Sequence, residues 1–293
     1  MGSGGSISAV SIAQMLLSGI ALGGVYAVVG LGLTLVFGVM RVINIAHGEF
    51  LMLGGFFTYF LFILGVSPLL ALPLCLLVLF ALGFVLHRSL VKRTVGKPEL
   101  ASLLLTFGIS VAIVGATLAV WGSDYRSVPY LTSSLQIGPV FIGMTKVLAF
   151  GIAMGLSLLF YLFMRHLRIG HAIRATAQVQ EMAMICGINV GLVHLVSFGM
   201  GAALAGAGGA LLSMMYAVFP EMGLVFTIKA FAIVVLGGIG NFLGAFLAGL
   251  ILGVAETLGS LLFSVQATEA IAFILLIVTL LVRPEGLLFG ERE

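Results

Sequence analysis

The sequence predicts an all-α membrane protein, a polytopic bundle of eight to nine transmembrane helices, some of them broken. Of its 293 residues, 61% are hydrophobic and only 8% are charged, and the mean hydropathy is +1.30. Soluble domains carry about 25% charged residues. Open β-sheets are excluded because their backbone polar groups would lack partners in hydrocarbon, so the apolar runs are expected to be helices.

Nine apolar segments approach the length of roughly 20 helical residues that spans a hydrocarbon core. They are 11–37, 46–64, 68–87, 100–121, 140–164, 190–216, 225–239, 243–262 and 268–282. The run 225–262 is too long for one crossing, and we divide it at the glycine cluster 236–241. We prefer nine spans, and an eight-span bundle with a re-entrant element is the alternative.

The chain is expected to form one membrane domain, residues 7–293. Residues 1–6, MGSGGS, are typical of an artificial linker, and neither a basic region nor a small-residue cleavage site follows them. The net charge of +3 is too small to indicate nucleic-acid binding. With the amino terminus outside, all but three of the 13 Lys and Arg fall on the cytoplasmic side, as the positive-inside rule favours. The three expected outside are Arg126, Lys146 and Lys229.

Small residues recur every four positions in two of the predicted spans. They are Gly201, Ala205 and Gly209, followed by Ala245, Gly249 and Gly253. In lipid, such spacing lets helix backbones approach closely. We expect these faces to pack within the subunit, with a face between two subunits as the alternative.

A polar break separates the first two spans, which otherwise carry no charged residue. It contains Arg41, Asn44, His47 and Glu49. Charged groups at membrane depth are costly and usually line a cavity or a path, so the break indicates transport. Alternatively, Arg41 and Glu49 extend to the cytoplasmic interface and His47 caps a helix end.

The second break is the glycine cluster 236–241. Each break joins a helix running inward to one running outward, so we expect both on the same side of the membrane. Discontinuous helices expose backbone groups that bind polar parts of solutes in transporters. The candidate translocation path therefore consists of Arg41, Asn44, His47, Glu49, Gly237, Gly238 and Asn241.

The loop 168–189, between the fifth and sixth spans, predicts a short amphipathic helix on the cytoplasmic membrane surface. Its apolar face would contain Ile173, Ala177, Met184 and Ile185, and its polar face Arg174, Gln178 and Glu181. Gly187 is expected to end the helix. Such a helix can dock a cytoplasmic partner, and an ordinary interfacial helix is the alternative.

Three segments together resemble the permease subunits of branched-chain amino acid ABC importers of the LivH type. They are GLTLVFGVMRVINIAHGEFLMLGG, RATAQVQEMAMICGIN and KAFAIVVLGGIGNFLGAFLAGLILGVAE, and the likeness runs from about Gln14 to Gly286. The resemblance implies a multi-pass protein of the bacterial inner membrane. It also implies four kinds of contact: a second permease subunit, either a copy or a paralogue; two cytoplasmic ATP-binding subunits; an external solute-binding protein; and membrane lipid.

In that family the loop matching 175–189 is the coupling helix, which sits in a groove of the ATPase. Carried over to this chain, the coupling residues are Arg174, Ala177, Gln178, Gln180, Glu181, Ala183 and Gly187. Family members often have an acidic residue at the position of Val179 and a small one at that of Met182. Polar contact with the ATPase would therefore depend more on Gln178, Gln180 and Glu181.

The sequence indicates no enzyme and no cofactor or metal site of its own. Gly96-Lys97 is followed by Pro98 and lacks the upstream glycine of a phosphate-binding loop, so ATP and Mg are expected on the partner ATPase. His, Cys and carboxylate residues do not occur at metal-ligand spacing. His47 and Glu49 have no accompanying nucleophile for an intramembrane enzyme.

The resemblance implies alternating-access import of neutral aliphatic amino acids. Sister permeases for urea, short amides or other amino acids carry very similar motifs and remain alternatives. An ion-coupled secondary transporter or channel is a further alternative, but it would need acidic groups deep in several spans. Glu256 is the one candidate for such a group.

Overall fold

The computed structural model describes residues 9–261, 265–283 and 286–288, and within them the chain is a helical bundle with one short β-hairpin. The helices are α1 (Ala9–Met40), α2 (His47–Ile63), α3 (Pro68–Ser89), α4 (Glu99–Trp121), α5 (Met144–His166), α6 (Arg168–Gln178), α7 (Gln180–Ile185), α8 (Val190–Met215), α9 (Met222–Gly237), α10 (Phe242–Gly259) and α11 (Val265–Val282). The strands are β1 (Ser134–Ile137) and β2 (Val140–Gly143). The predicted all-α membrane bundle is confirmed as a class.

Six helices in the described ranges are long and apolar enough to cross a membrane, namely α1, α3, α4, α5, α8 and α10. Three shorter apolar helices are His47–Ile63, Met222–Gly237 and Thr268–Val282. Together these nine helices coincide with the nine predicted segments. The number that cross the membrane stays a prediction.

The centre of the bundle is α1, which packs against α5, α8, α9 and α10. In the most apolar 18-residue window of α1, 89% of residues are buried, compared with 22% for α4. The predicted packing of small residues within the subunit is confirmed. A β-carbon on Gly249 would lie 2.5 Å from the backbone nitrogen of Ala27, so α10 approaches α1 more closely than a side chain would allow.

The fifth span begins later than predicted. Residues 140–143 belong to β2, which pairs antiparallel with β1 in the register Ser134 to Gly143, and α5 starts at Met144. Backbone hydrogen bonds to β1 hold these residues extended, so hydropathy alone misplaces the start of the helix. The predicted linker at 1–6 and the carboxyl-terminal Arg292 lie outside the described residues.

The prediction that Lys229 lies outside is wrong, because it is buried two turns inside α9. Its ammonium group donates hydrogen bonds to Glu256 Oε2 and to the Tyr26 hydroxyl, each at 2.9 Å. The Tyr26 hydroxyl in turn donates to Glu256 Oε2 at 2.7 Å. Pairing with a carboxylate lets a cation lie within the bundle rather than at its surface.

Candidate functional site

The first break is shorter than the sequence predicted. Helix α1 ends at Met40, residues 41–46 are irregular, and His47 and Glu49 already lie in the first turn of α2. Arg41 turns the chain with φ +50°, a backbone conformation that is uncommon for a residue with a β-carbon. Its side chain is exposed, whereas Asn44, His47 and Glu49 are buried.

Hydroxyl groups of α4 bind the backbone of this break. The Ile43 amide donates to Ser102 Oγ at 3.2 Å, and the Ile45 amide donates to Thr106 Oγ1 at 3.1 Å. Thr106 Oγ1 also lies 2.9 Å from the carbonyl oxygen of Ile43. These side chains supply the partners that the missing helical hydrogen bonds would otherwise provide.

A hydroxyl of α9 binds the same segment from the other side. The Gly48 amide donates to Thr227 Oγ1 at 2.9 Å, and the Thr227 hydroxyl donates to the carbonyl oxygen of Ile45 at 2.9 Å. The break is therefore held between α4 and α9. Its geometry depends on two helices besides the two that it joins.

Glu49 is only 1% exposed, so the alternative in which it extends to the membrane interface is wrong. The Ser110 hydroxyl donates to its Oε1 at 2.9 Å. Its other oxygen, Oε2, has no hydrogen-bond partner among the described residues. The carboxylate lies against Gly223 of α9, where a β-carbon would collide with it.

His47 and Asn44 also have free hydrogen-bonding capacity inside the protein. His47 Nε2 donates to the carbonyl oxygen of Val29 in α1 at 3.0 Å, so the ring links α2 to α1 rather than capping a helix end. Within the described ranges, His47 Nδ1 and Asn44 Oδ1 have no partner. Buried polar atoms are normally paired, so three such atoms in one short segment set it apart from the surrounding core.

The sequence analysis missed the four hydroxyl residues around the break. Ser102, Thr106 and Ser110 are spaced by four residues, which places them on one face of α4, and this spacing is visible in the sequence. Thr227 stands alone in α9 and carries no comparable signal. A polar stripe on an otherwise apolar helix would have been enough to link α4 to the break.

The second break lies between α9 and α10, and two of its glycines have positive φ. Gly238 has φ +88° and Gly240 has φ +75°, values that favour glycine. Asn241 Oδ1 accepts a hydrogen bond from the Gly244 amide at 3.0 Å and so caps the amino terminus of α10. Gly237 contacts the backbone of Gly244, so the two helices meet closely at the turn.

The end of α1, just before the first break, contacts the second break. A β-carbon built on Gly38 at the end of α1 would lie 2.8 Å from the Cα atom of Gly240. The carboxyl-terminal segment covers the second break from another side, since the Leu287 amide donates to the Leu236 carbonyl oxygen at 3.1 Å. A displacement of the second break therefore changes its contact with the end of α1.

The loop 168–189 forms two helices rather than the single helix predicted. Val179 is extended, with φ −145° and ψ 99°, between α6 and α7. This residue interrupts the helical period, so side chains after it no longer continue the face of α6. Of the predicted apolar face, Ile173 is buried, whereas Ala177, Met184 and Ile185 are exposed.

The loop exposes a compact run of large apolar side chains, which we call the loop patch. It consists of Val179, Met182, Met184 and Ile185, each at least half exposed. Gly187 has φ +81° after the end of α7, and Asn189 Oδ1 accepts from the Leu192 amide at 3.0 Å to cap α8. The expectation that Gly187 ends the helical segment is confirmed.

A polar cavity of about 420 Å³ connects the first break to this loop. It brings Arg41 together with three predicted coupling residues, Ala177, Gln178 and Gln180. Asn44, His47 and Glu49 are not among its lining residues. Arg174 and Asn241 instead line a second cavity, between α5 and α10.

In the part of the chain that the structure describes, no group of three or more His, Cys, Asp or Glu lies close enough to hold a metal ion. The buried polar groups in and around the first break are one carboxylate, one imidazole, one amide and several hydroxyl groups. They can exchange hydrogen bonds with a polar molecule or with water. Together with the two helix breaks, they define a multi-pass membrane protein of the transporter class.

Comparison with known proteins identifies the family. Residues 15–280 match the family model described as branched-chain amino acid transport system / permease component, and the chain belongs to that family. It is 34% identical to the high-affinity branched-chain amino acid transport system permease protein BraD of Pseudomonas aeruginosa, over 94% of this chain and 95% of that protein. The chain is thus a multi-pass protein of the inner membrane, and a permease component.

More distant relatives cover a similar share of their own length. The permease protein LivH of Salmonella typhimurium is 32% identical over 94% of each chain. A probable LivH permease of Methanocaldococcus jannaschii is 28% identical over 94% of this chain and 92% of that protein. The likeness therefore extends over nearly the whole chain rather than over one motif.

Proposed function

We propose that this chain is the permease subunit of an ATP-driven ABC importer for branched-chain amino acids. The relatives described above support the solute class, since each is named as a branched-chain amino acid transport permease. The proposed complex contains a second permease subunit, two cytoplasmic ATP-binding subunits and an external solute-binding protein. ATP and Mg bind to the ATPases, and this chain breaks no bond in the solute.

The buried polar groups of the first break are proposed to border the translocation path. Asn44, His47 and Glu49 each retain an atom without a hydrogen-bond partner in the described residues. All three atoms are hydrogen-bond acceptors, because the proton of the His47 ring lies on Nε2, so they can bind the ammonium group of an amino acid during passage. The second break, with Gly237, Gly238 and Asn241, contacts the first and is proposed to move with it.

The observation that carries the proposal is the loop patch between two membrane helices. Exposed contiguous apolar side chains on a polar loop mark a protein interaction site. The polar cavity beside the patch also contains Arg41, so a partner that binds α6 and α7 acts next to the first break. We infer that an ATPase binds there and that its closure drives alternating access.

An ion-coupled transporter is less well supported by the same structure. It would need a deep carboxylate that is free to bind and release a cation. Glu256, the candidate that the sequence offered for this role, is instead paired with Lys229 at 2.9 Å and accepts a hydrogen bond from Tyr26, which leaves Glu49 as the buried carboxylate without an ion pair in the described residues. A carboxylate already neutralised by a lysine is a poor cation carrier.

Cross-linking tests the proposed ATPase contact. In a Cys186→Ser background, which removes the exposed native thiol, Gln180→Cys and Glu181→Cys should each cross-link to an ATPase subunit in membranes. Both positions are exposed beside the loop patch. The measurement is the appearance of a band containing both proteins after labelling with a maleimide that carries a photoreactive group and then illumination, so that no cysteine is required on the ATPase.

The matched control is Lys92→Cys, an exposed position in the short turn after α3 and outside the loop patch. It should give little cross-linking under the same conditions. If the complex is shown to be assembled and neither loop position cross-links, the assignment of 168–189 as the ATPase contact is wrong.

A further inference from the structure

A second cavity, of about 460 Å³, lies between α5 and α10 and reaches α1 at its base. We call it the α5–α10 crevice. Most of its wall is apolar. The apolar lining consists of Leu31, Met154, Leu158, Phe160, Met164, Phe242, Leu243 and Phe246. Because α5 and α10 are long enough to span the membrane, a crevice between them that opens at the surface is accessible to the acyl chains of lipids.

Two arginines mark one end of this crevice, at the side where the loop 168–189 lies. They are Arg165 in the last turn of α5 and Arg174 in α6. Both are exposed, and no acidic residue is among the residues that line the crevice. The charge at this end is therefore positive and uncompensated within the lining, which favours an anionic group.

A buried hydroxyl supplies a third contact. Ser157 is 8% exposed and lines the crevice, and its Oγ has no hydrogen-bond partner among the described residues. Tyr161 lies one turn along α5 from Ser157 and Arg165 lies two turns from it. The Arg165 guanidinium donates to the Tyr161 hydroxyl at 2.9 Å, and all three residues line the crevice.

We propose that the α5–α10 crevice binds an anionic phospholipid. An acyl chain lies against the apolar wall, the phosphate binds Arg165 and Arg174, and the Ser157 hydroxyl donates a hydrogen bond to an ester carbonyl. Basic pockets between membrane helices are suited to anionic headgroups in this way. The site is separate from the two helix breaks, although Asn241 contributes to its rim.

The test measures lipid binding directly rather than transport. The full chain, purified in detergent, is titrated with phosphatidylglycerol or phosphatidylcholine, and the bound lipid is counted by native mass spectrometry. Phosphatidylglycerol should bind more tightly. Arg165→Ala should weaken its binding roughly fivefold and Arg165→Ala with Arg174→Ala roughly 25-fold, from the usual contribution of one basic residue to anionic lipid binding.

Arg168→Ala is the matched control, because Arg168 is exposed three residues further along and does not line the crevice. It should leave phosphatidylglycerol binding unchanged, while Ser157→Ala should weaken the binding of both lipids. Since Arg174 is also a proposed coupling residue, the single variant Arg165→Ala is decisive. Equal binding of the two lipids, equal effects of Arg165→Ala and Arg168→Ala, or displacement of the lipid by inorganic phosphate would each overturn the proposal.

Discussion

Lys229, Glu256 and Tyr26 form a closed set of hydrogen bonds between α9, α10 and α1. The ammonium group of Lys229 also lies 5.1 Å from the centre of the Tyr26 ring and 5.2 Å from that of Phe226. Removing one member of a buried ion pair leaves the other charged and unpaired, which costs far more than replacing both. The three residues are therefore expected to act as a unit in stability.

Lys229→Met should lower the free energy of unfolding by about 3–5 kcal/mol, because it leaves the Glu256 carboxylate buried without its cation. The double variant Lys229→Met with Glu256→Gln should be markedly more stable than Lys229→Met alone, since no unpaired charge remains. Thermal unfolding of the purified chain in detergent measures both effects. Additive destabilisation by the two substitutions would show that the pair is not coupled.

At the level of single residues, the sequence predicted some of the buried polar side chains and missed others. The cost of charge in lipid correctly singled out Glu49 and Glu256, and both are buried. The positive-inside count instead assigned Lys229 to the outer side, because a count along the sequence cannot show that a carboxylate on another helix lies opposite. Thr227 was missed for a similar reason: one hydroxyl in an apolar helix becomes informative only when its partner, the Ile45 carbonyl, is known.

The two helix breaks are the elements that distinguish this bundle from a set of straight spans. Each has its backbone groups satisfied by neighbours: the first by α4 and α9, the second by the Asn241 cap and the carboxyl-terminal segment. Their contact point is Gly38 against Gly240. A movement of the end of α1 relative to the second break changes this contact, so side-chain bulk there should block a coupled motion.

Gly38→Val tests this contact. A β-carbon at Gly38 would lie 2.8 Å from the Gly240 Cα atom, and overpacking of this kind typically costs about 1–3 kcal/mol. We expect the variant to insert in the membrane but to lose most leucine uptake in cells, because the breaks are forced apart.

The control for this substitution is Gly108→Val, at a helical position in α4 where a β-carbon would meet no atom within 4 Å. Uptake of radiolabelled leucine, normalised to the amount of protein in the membrane, should stay near the wild-type level in the control. Normal uptake by Gly38→Val at normal expression would show that transport does not depend on the contact between the breaks.

Element boundaries show where sequence patterns succeed. The break at the glycine cluster was predictable because glycine lacks a β-carbon and adopts the positive φ angles of a turn more readily than other residues. The interruption at Val179 was not predictable, because valine carries no comparable signal and the amphipathic pattern of the loop predicts one continuous helix. Similarly, residues 140–143 are apolar enough to belong to a helix, and only pairing with β1 shows that they are a strand.

Across the whole molecule, burial separates a central layer from a peripheral one. Helices α1 and α8 are mostly enclosed, whereas α3, α4 and α5 present large apolar surfaces such as Leu77, Leu104 and Leu159. In a membrane protein these surfaces meet lipid or other subunits. The composition predicted this class of architecture, but it could not assign which apolar helices form the centre, because in lipid both layers are apolar.

The orientation and the number of spans are properties of the whole molecule. Labelling with a membrane-impermeant maleimide tests both. In a Cys186→Ser background, Ser123→Cys after α4 should be labelled from outside in intact cells, and Lys92→Cys should be labelled only after permeabilisation. Both side chains are exposed, and native Cys75 is buried and should not react. Labelling of Lys92→Cys from outside would reverse the orientation derived from the distribution of Lys and Arg.

Ser260→Cys decides between nine spans and eight, because it lies at the exposed end of α10. If α9 and α10 cross separately around the second break, Ser260 returns to the outer side and its cysteine should be labelled in intact cells. If 225–262 makes one crossing with a re-entrant turn, the same cysteine lies inside and is protected. The close antiparallel contact of Gly237 with Gly244 favours two crossings, so we expect outside labelling. Protection of Ser260→Cys, with Ser123→Cys labelled in parallel, would establish the eight-span arrangement instead.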